Sequence, residues 1–261
     1  MPARNLNDRS PSSRRFPSIV WCGIDYGETI MNPLALHQSR VIREIYSELG
    51  RADEAEERVR RWYRLRGAMG PPSVATHLLV RDLKQYARDR IYTEVLDGDR
   101  YAVELFEAKE VAGIAMAEGV DTALARLQRK GVAAAIVSES ASRAAAETVA
   151  RYLRAHALSQ YFQDLITPAG RFSVDGHLLD RTFVGATKKA GSLYGRIRQH
   201  LDAKGIPSSS AAIIGDDPLL DVEQAAPCGF VTIQYVGVID RGVSETADYV
   251  LTDWRELERI V

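Results

Sequence analysis

Short runs of apolar residues recur along the chain, and several of them end in polar or acidic residues. They lie at residues 18–25, 131–140, 210–217, 229–236 and 247–251. Uninterrupted apolar runs of this length are typical of strands that are covered on both faces. Segments with helical periodicity separate or follow them, at residues 121–130, 141–155, 189–204 and 219–226. This alternation predicts a doubly wound α/β fold, in which helices cover both faces of a Rossmann-like parallel sheet.

The segment from residue 34 to residue 111 interrupts the alternation. It is charged and helical in pattern, and LHQSRVIREIYSEL is its clearest amphipathic stretch. We expect it to form a helical cap domain, inserted into a core domain made of residues 18–33 and 112–261. A smaller insertion at residues 170–183 contains Asp175-Gly176, which is a strong signal for a hairpin turn.

Polar side chains follow three of the predicted strands. Asp25 ends the first and Ser138 the second, and Asp216 ends a third, where it is followed by Asp217 and Asp221 in the sequence GDDPLLD. The carboxyl ends of parallel strands meet at one edge of a sheet, and ligands bind there. Crowded carboxylates repel one another and usually need a cation, and their oxygen atoms suit Mg²⁺.

Several of these residues also have a purely structural interpretation. Asp216 or Asp217 can cap the helix that begins near Pro218, and serine is likewise a common capping residue. Lys188 and Lys189 form an adjacent pair at the start of a predicted helix, where positive charge opposes the helix dipole. This placement favours a lysine that serves a site, although a solvated pair is the alternative.

The order of DYGET, VSES, KKAG and GDDPLLD resembles the four motifs of the haloacid dehalogenase-like (HAD) hydrolase superfamily. The resemblance covers nearly the whole chain from Ile19 onward, including the inserted cap and the closing ADYVLTDWREL. It implies a hydrolase, either a phosphatase or a phosphotransferase. Such an enzyme requires Mg²⁺ and acts on a small phosphorylated or phosphonate substrate.

The resemblance also implies a role for each matching residue. Asp25 matches the nucleophile that forms an aspartyl-phosphate, and Ser138 matches the hydroxyl that binds the phosphoryl group. Thr29 matches the threonine that closes the first motif and supports its loop. Lys189, in preference to Lys188, matches the lysine that holds the charges of the nucleophile and the phosphate together.

The metal ligands implied by the resemblance come from the first and fourth motifs. Asp25, the backbone carbonyl of Gly27 and Asp216 would bind Mg²⁺ directly. Asp217 and Asp221 would bind it through water or support the direct ligands.

Substrate choice is expected to depend on the cap. His37 and Arg40 follow the first motif by one to two helical turns, which makes them candidates for substrate contact. The arginine-rich stretch RVRRWYRLRG can form a clamp for an anionic substrate. Alternatively, it is a solvated helix face that the nearby Glu54, Glu56 and Glu57 balance.

The first motif departs from the family pattern at Gly27. Most phosphatases of the family read Asp-x-Asp-x-Thr, and the second Asp protonates the leaving group and then activates water. Here Gly27 occupies that place. General acid–base catalysis is typically worth about 10²- to 10⁴-fold, so its absence requires an explanation.

Four explanations are open. In the first, the leaving group needs no acid, as in phosphonoacetaldehyde hydrolases, which use a cap lysine; Lys84 and Lys109 are the lysines of the predicted cap. In the second, the reaction is dehalogenation without metal, although the complete GDDPLLD argues against it. In the third, Glu28 replaces the missing acid. In the fourth, the protein is a weak or inactive member that binds a phosphorylated ligand or partner.

Composition and charge limit the remaining classes of function. The 261-residue chain has a formal net charge of −1, which supports neither a nucleic-acid nor a membrane partner. No apolar run approaches the ~20 residues of a membrane helix. The polar residues 1–17 lack the apolar part of a secretory signal, so we expect a disordered tail and a cytoplasmic protein. Cys22 and Cys228 have neither disulfide-framework nor zinc-ligand spacing and are expected to be buried thiols. No sequence signal indicates a particular oligomeric state.

Overall fold

An eight-stranded sheet forms the centre of the computed structural model, which describes residues 18–31, 34–67, 89–112, 115–238 and 241–261. The expected tail, residues 1–17, lies outside the described residues. The strands are β1 (Trp21–Ile24), β2 (Ala133–Val137), β3 (Asp164–Thr167), β4 (Gly170–Ser173), β5 (Leu178–Asp180), β6 (Ala211–Gly215), β7 (Val231–Tyr235) and β8 (Tyr249–Leu251). Their spatial order is β5-β4-β3-β2-β1-β6-β7-β8. The six neighbouring strands β3-β2-β1-β6-β7-β8 pair in parallel. Strands β4 and β5 pair in antiparallel fashion beside β3, at one edge of the sheet.

Six α-helices lie within the described part of the chain. They are α1 (Leu34–Glu48), α2 (Ala52–Gly67), α3 (Arg100–Ala112), α4 (Val120–Arg129), α5 (Arg143–Ala155) and α6 (Ser192–Asp202). Two π-helical turns, Ile91–Val95 and Pro218–Glu223, and four 3₁₀ turns, Ser159–Tyr161, Ser208–Ser210, Ala226–Cys228 and Trp254–Arg259, complete the helical structure. None of these described helices combines the length and the apolar composition needed to cross a membrane.

Both faces of the sheet are covered, as the unbroken apolar runs predict. Along β1 the side chains alternate: Trp21 packs in the cluster that includes α6, whereas Cys22 and Ile24 pack in the cluster that includes α4 and α5. The sheet and its helices confirm the predicted doubly wound α/β fold. Burial raises the pKa of Cys22 to about 12, which fits the expected buried thiol, whereas Cys228 is only half-buried.

Most of the predicted elements are confirmed, with differences at helix boundaries. The Asp175-Gly176 turn joins β4 and β5 as an antiparallel hairpin, and Gly176 has a left-handed φ of 90°. Helix α6 begins three residues later than predicted, after Gly191 with a φ of 68°. The predicted helix at residues 219–226 is instead a short π-helical turn. Pro227 follows it in a separate 3₁₀ turn, where its missing N–H prevents helical continuation.

The helices of the inserted segment surround a hydrophobic core of their own. Val41, Ile45, Val59, Trp62 and Phe106 are among its buried residues. This core is separate from the two clusters on the sheet.

The arginines of α2 form ion pairs with acidic residues, as the alternative of a solvated, charge-balanced face predicts, but Arg58 departs from it because it is buried. Arg58 is buried and pairs with Glu54 and Asp97. Arg61 also pairs with Asp97 and with Glu57. Asp97 lies between the π-helical turn Ile91–Val95 and α3, so Arg58 and Arg61 tie α2 to that connection.

Gly23, at the centre of β1, provides a test of how tightly the sheet is packed beneath the candidate site. A Cβ atom at this position would lie 2.8–2.9 Å from side-chain atoms of Ile213, Trp21 and Val137. We expect Gly23→Ala to lower the free energy of unfolding by about 1–3 kcal/mol, the usual cost of overpacking a core. Urea denaturation measures the change.

Gly195→Ala is the matched control for this substitution. A Cβ atom at Gly195, within α6, would meet no described heavy atom within 4 Å. Alanine is favoured over glycine in a helix by roughly 0.5–1 kcal/mol, so this variant should be slightly stabilised. Equal stability of the two variants would contradict the close packing around Gly23.

Candidate active site

The candidate site lies at the carboxyl ends of three neighbouring strands. Strand β1 pairs with β2 on one side and with β6 on the other, so Asp25, Ser138 and Asp216 reach the same edge of the sheet. The backbone N–H of Asp25 donates to the carbonyl of Ile214 at 2.8 Å. This bond continues the β1–β6 ladder up to the residue that carries the carboxylate, and it therefore places Asp25 on a rigid part of the fold.

A buried lysine joins two of the carboxylates. The Nζ atom of Lys188 lies 2.5 Å from Oδ1 of Asp25 and 2.5 Å from Oδ1 of Asp221, and Lys188 is only 2% exposed. Burial alone would lower the pKa of Lys188, but the charges of Asp221 and Asp25 outweigh it and raise the pKa well above its ordinary value. Lys188 is therefore a permanent cation between two carboxylates.

The prediction that Lys189 is the lysine beside the nucleophile is wrong, because the structure places Lys188 beside Asp25. The backbone N–H of Lys188 donates to Oε2 of Glu139 at 2.6 Å. This bond fixes the turn before α6 and directs the Lys188 side chain inward. Lys189, the next residue, is exposed.

Thr29 connects the first and fourth motifs. Its buried hydroxyl lies 3.3 Å from Oδ2 of Asp25 and 3.1 Å from Oδ1 of Asp216. The backbone carbonyl of Thr29 accepts a hydrogen bond of 3.1 Å from the indole N–H of the buried Trp254. Trp254 thus holds the loop after β1 through its backbone, a contribution that none of the four motifs indicated.

The aspartates of GDDPLLD divide between the site and the helix cap. Asp217 is the capping residue, since its Oδ1 accepts hydrogen bonds from the backbone N–H groups of Leu219 and Leu220 at 3.0 and 2.9 Å. The backbone N–H of Asp217 also donates to Oδ2 of Asp221 at 3.1 Å. The capping interpretation therefore holds for Asp217, whereas Asp216 contacts the other site residues.

A tyrosine that the motif analysis missed completes the surroundings of Asp221. The hydroxyl of Tyr194 donates to Oδ1 of Asp221 at 3.1 Å. Burial raises the pKa of Tyr194 well above its ordinary value, so the hydroxyl remains a neutral donor. Tyr194 lies on α6, and nothing in the local sequence distinguishes it from a core residue.

The acidic residues fit a divalent cation. Asp25, Asp216 and Asp221 each offer one oxygen, and these atoms lie within 4.8 Å of one another. Oxygens that share one octahedral Mg²⁺ are about 3–4 Å apart, so a small adjustment suffices. Burial raises the pKa of Asp216 to about 8, and the charges of Asp25 and Asp221 add to the effect. A cation bound among these carboxylates would favour the ionised form of Asp216.

Gly27 leaves open space where the family pattern has its second aspartate. A Cβ atom at this position would meet no described heavy atom within 4 Å. The backbone of Gly27 forms an isolated β-bridge with Met31. The missing side chain therefore reflects no steric exclusion by the described residues.

Glu28 lies beside this position in a left-handed conformation, with a φ of 61°. Its carboxylate is buried, and Oε2 forms an ion pair with Nη2 of Arg241. The Nε atom of Arg241 donates to Oδ2 of Asp216 at 2.8 Å. Arg241 belongs to none of the four motifs, and sequence reasoning did not find it.

The remaining candidates have fewer contacts with the site. Ser138 is buried, and its hydroxyl lies 3.0 Å from that of Ser140. Arg40 is exposed on α1, where its Nε lies 3.5 Å from a carboxylate oxygen of Glu44. The side chain of His37 lies outside the described residues, as does Lys84. Lys109 pairs with Glu48 at 2.8 Å.

Solved structures match this chain, although no protein-family model and no curated protein sequence does. A HAD-hydrolase from Bacillus subtilis bound to magnesium has 15% identity and a TM-score of 0.55, over 94% of this chain and 99% of that chain. A HAD phosphatase from Thermococcus onnurineus has 22% identity and a TM-score of 0.53, over 93% and 97% of the two chains. A 2-haloacid dehalogenase from Pseudomonas syringae pv. Tomato has 15% identity and a TM-score of 0.53, over the same shares. The chain therefore has the fold of HAD-superfamily hydrolases, which phosphatases and dehalogenases share.

The adjacent lysines provide a test of the site geometry. Replacing Lys188 with methionine leaves Asp25 and Asp221 without their common cation. We expect Lys188→Met to lower the free energy of unfolding by roughly 3–5 kcal/mol, as breaking a buried ion pair does. Lys189→Met, at the exposed neighbour, should change it by less than about 0.5 kcal/mol. Urea denaturation without divalent cations measures both variants, and equal effects would rule out the assignment of Lys188.

Proposed function

We propose that the protein is a Mg²⁺-dependent phosphatase or phosphotransferase that acts on a small phosphorylated molecule through an aspartyl-phosphate on Asp25. The observation that carries this proposal is the contact of Lys188 with both Asp25 and Asp221, beside Asp216. A carboxylate nucleophile, a fixed cation and metal-type ligands thus meet at one edge of the sheet. The magnesium-bound hydrolase and the phosphatase of the same fold lend support.

Asp25 is suited to attack a phosphorus atom. One carboxylate oxygen forms the new bond to phosphorus, and the bond from phosphorus to the leaving oxygen breaks, with its electron pair moving to that oxygen. Lys188 offsets the negative charge that accumulates as the phosphoryl group approaches Asp25. The hydroxyl of Ser138 is placed at the neighbouring strand end and donates to a phosphoryl oxygen. The oxygen of water, or of another acceptor hydroxyl, then forms a bond to phosphorus, the bond from phosphorus to the Asp25 oxygen breaks with its electron pair returning to the carboxylate, and the acceptor's proton passes to solvent.

The residues that would hold Mg²⁺ are Asp25, Asp216 and the backbone carbonyl of Gly27. Asp221 and Asp217 would support them, since Asp221 already accepts the hydrogen bond from the Asp217 backbone. When bound, Mg²⁺ supplies positive charge to the transferring phosphoryl group. We further propose that the helices of residues 34–111 act as a cap that selects the substrate and excludes water.

Gly27 bears on the leaving group. Because no side chain at this position donates a proton, substrates whose leaving group departs as a stable anion should react best. Glu28 is engaged in the ion pair with Arg241, so we assign it a different part below. Carbon–phosphorus cleavage also suits the lack of an acid, but Lys109, the described cap lysine, is paired with Glu48.

A second candidate is binding of a phosphorylated ligand without turnover. The absence of a side chain at Gly27 favours it, because the retained carboxylates and Lys188 suffice for binding. Metal-free dehalogenation has less support, since Asp216 and Asp221 extend the acidic cluster beyond the nucleophile.

The first experiment measures phosphate release by the purified protein with Mg²⁺, across phosphomonoesters and phosphonoacetaldehyde. We expect release from one class of compound and a loss of at least about 100-fold in Asp25→Asn, because the nucleophile is removed. Asp202→Asn, at the exposed end of α6, is the matched control. Unchanged release in Asp25→Asn would exclude Asp25 as the nucleophile. A folded protein that releases phosphate from none of the compounds would favour the binding role.

The open space at Gly27 allows a gain-of-function test. Gly27→Asp restores the Asp-x-Asp-x-Thr pattern, and a Cβ atom at this position meets no described heavy atom within 4 Å. We expect release from alkyl phosphates to rise by about 100-fold, the typical value of an added general acid. p-Nitrophenyl phosphate, whose leaving group needs no proton, should change by less than about threefold. An equal effect on both substrates would show that the aspartate acts in some other way.

A further inference from the structure

Arg241 places a second buried cation among the carboxylates of the candidate site. Its Nε donates to Oδ2 of Asp216 at 2.8 Å, and its Nη2 pairs with Oε2 of Glu28. All three side chains are at least nine-tenths buried. The ion pair therefore lies in surroundings where solvent screens charge weakly.

Both oxygens of the Asp216 carboxylate already have partners within the chain. Thr29 contacts Oδ1, and Arg241 donates to Oδ2. Asp216 is also one of the three carboxylates whose oxygens can share a metal ion. An ion that binds Asp216 must therefore displace or share these hydrogen bonds. It would also meet the positive charge of the guanidinium at close range.

Glu28 provides a second carboxylate with which Arg241 forms an ion pair. The left-handed backbone of Glu28 is uncommon for a residue with a side chain and persists only where its surroundings fix it. Its Oε1 atom is buried and has no hydrogen-bond partner among the described residues. Arg241 is thus the described partner that compensates the Glu28 carboxylate, and Glu28 can retain the guanidinium when Asp216 binds another cation.

We propose that Arg241 is an internal counter-cation that competes with Mg²⁺ for Asp216 and that Glu28 is the anchor that holds it. The proposal rests on the Mg²⁺ site of the proposed function and deepens it. Lys188 and Arg241 together pair with four carboxylates, those of Asp25, Asp216, Asp221 and Glu28. A bound Mg²⁺ would bring two further positive charges to these carboxylates. Arg241 sets how tightly that cation binds and acts as a positioning residue for Asp216.

The test is calorimetric titration of Mg²⁺ into the purified full chain, without substrate. Arg241→Gln should raise the Mg²⁺ affinity at least about tenfold, because a like charge within 4–6 Å typically changes such equilibria by that factor or more. Arg241→Lys retains the charge but not the two-armed geometry, so its Mg²⁺ affinity should rise less than that of Arg241→Gln. Unchanged or weakened Mg²⁺ binding by a folded Arg241→Gln would overturn the proposal.

Arg171→Gln is the matched control. Arg171 is also a largely buried arginine, and it pairs with Asp164 at 2.9 Å on β3, away from the carboxyl ends that form the site. Its substitution should leave the Mg²⁺ affinity unchanged within about threefold. A rise equal to that of Arg241→Gln would overturn the proposal, since it would then reflect net charge alone.

Glu28→Gln keeps the proposal testable if Arg241→Gln does not fold. Without the Glu28 carboxylate, Arg241 has Asp216 as its described ion-pair partner and competes more strongly with Mg²⁺ for it. The Mg²⁺ affinity should therefore fall at least about tenfold. In the Arg241→Gln background the same change should have a smaller effect. A rise in affinity, or equal effects in both backgrounds, would contradict the role of Glu28 as the anchor.

The outcome is separable from that of the proposed function. Tighter Mg²⁺ binding by Arg241→Gln in a protein that releases no phosphate would support the counter-cation and leave catalysis unsupported. Mg²⁺-dependent phosphate release, with the same Mg²⁺ affinity in Arg241→Gln as in the unmodified protein, would support catalysis and overturn the counter-cation proposal. Absence of Mg²⁺ binding by every variant would overturn the counter-cation proposal itself.

Discussion

The contact of Lys188 with Asp25 and Asp221 is the interaction on which the candidate site depends. Several carboxylates meet at one edge of the sheet, and their mutual repulsion opposes the fold that brings them together. A single ammonium group between two of them offsets part of that repulsion. The same charge then faces any anionic group that approaches Asp25. One interaction thus stabilises the site and, in the proposed function, would also attract the phosphoryl group.

The parallel sheet explains why such a costly cluster forms. Strand β1 lies between β2 and β6, and residues that follow these strands cannot avoid one another. The loop after β1 is fixed further by the hydrogen bond from Trp254 to the carbonyl of Thr29 and by the bridge of Gly27 to Met31. The residues of the candidate site therefore lie at positions with little freedom to separate, which suits the electrostatic stabilisation that the proposed function requires.

Gly27, Glu28 and Arg241 distinguish this site from the pattern that its motifs resemble. Glycine stands at residue 27, where that pattern has its second aspartate, and the carboxylate of the next residue pairs with an arginine. The charge of that arginine also reaches Asp216. The two departures are thus linked in space, because the carboxylates of Glu28 and Asp216 share Arg241 as a partner. Leaving-group chemistry and cation binding are the two properties that this arrangement would change.

The sequence by itself determined the fold class, because unbroken apolar runs between helical segments suit a covered parallel sheet. It also placed Asp25, Ser138 and Asp216 at one edge, since strand ends are local features and parallel pairing makes them converge. Only the tertiary structure decided between Lys188 and Lys189, which a local pattern treats as equivalent. The hydrogen bond from the Lys188 backbone N–H to Glu139 fixes the turn in which Lys188, and not Lys189, is buried.

The partners of the site residues were likewise decided by tertiary structure. Arg241, Tyr194 and Trp254 come from distant parts of the chain, and no spacing rule connects them to the motifs. Their roles depend on distances of about 3 Å between side-chain atoms, which follow from how the elements pack. Periodicity and spacing describe the order of residues along one segment. Contacts between segments arise only when the whole chain is folded.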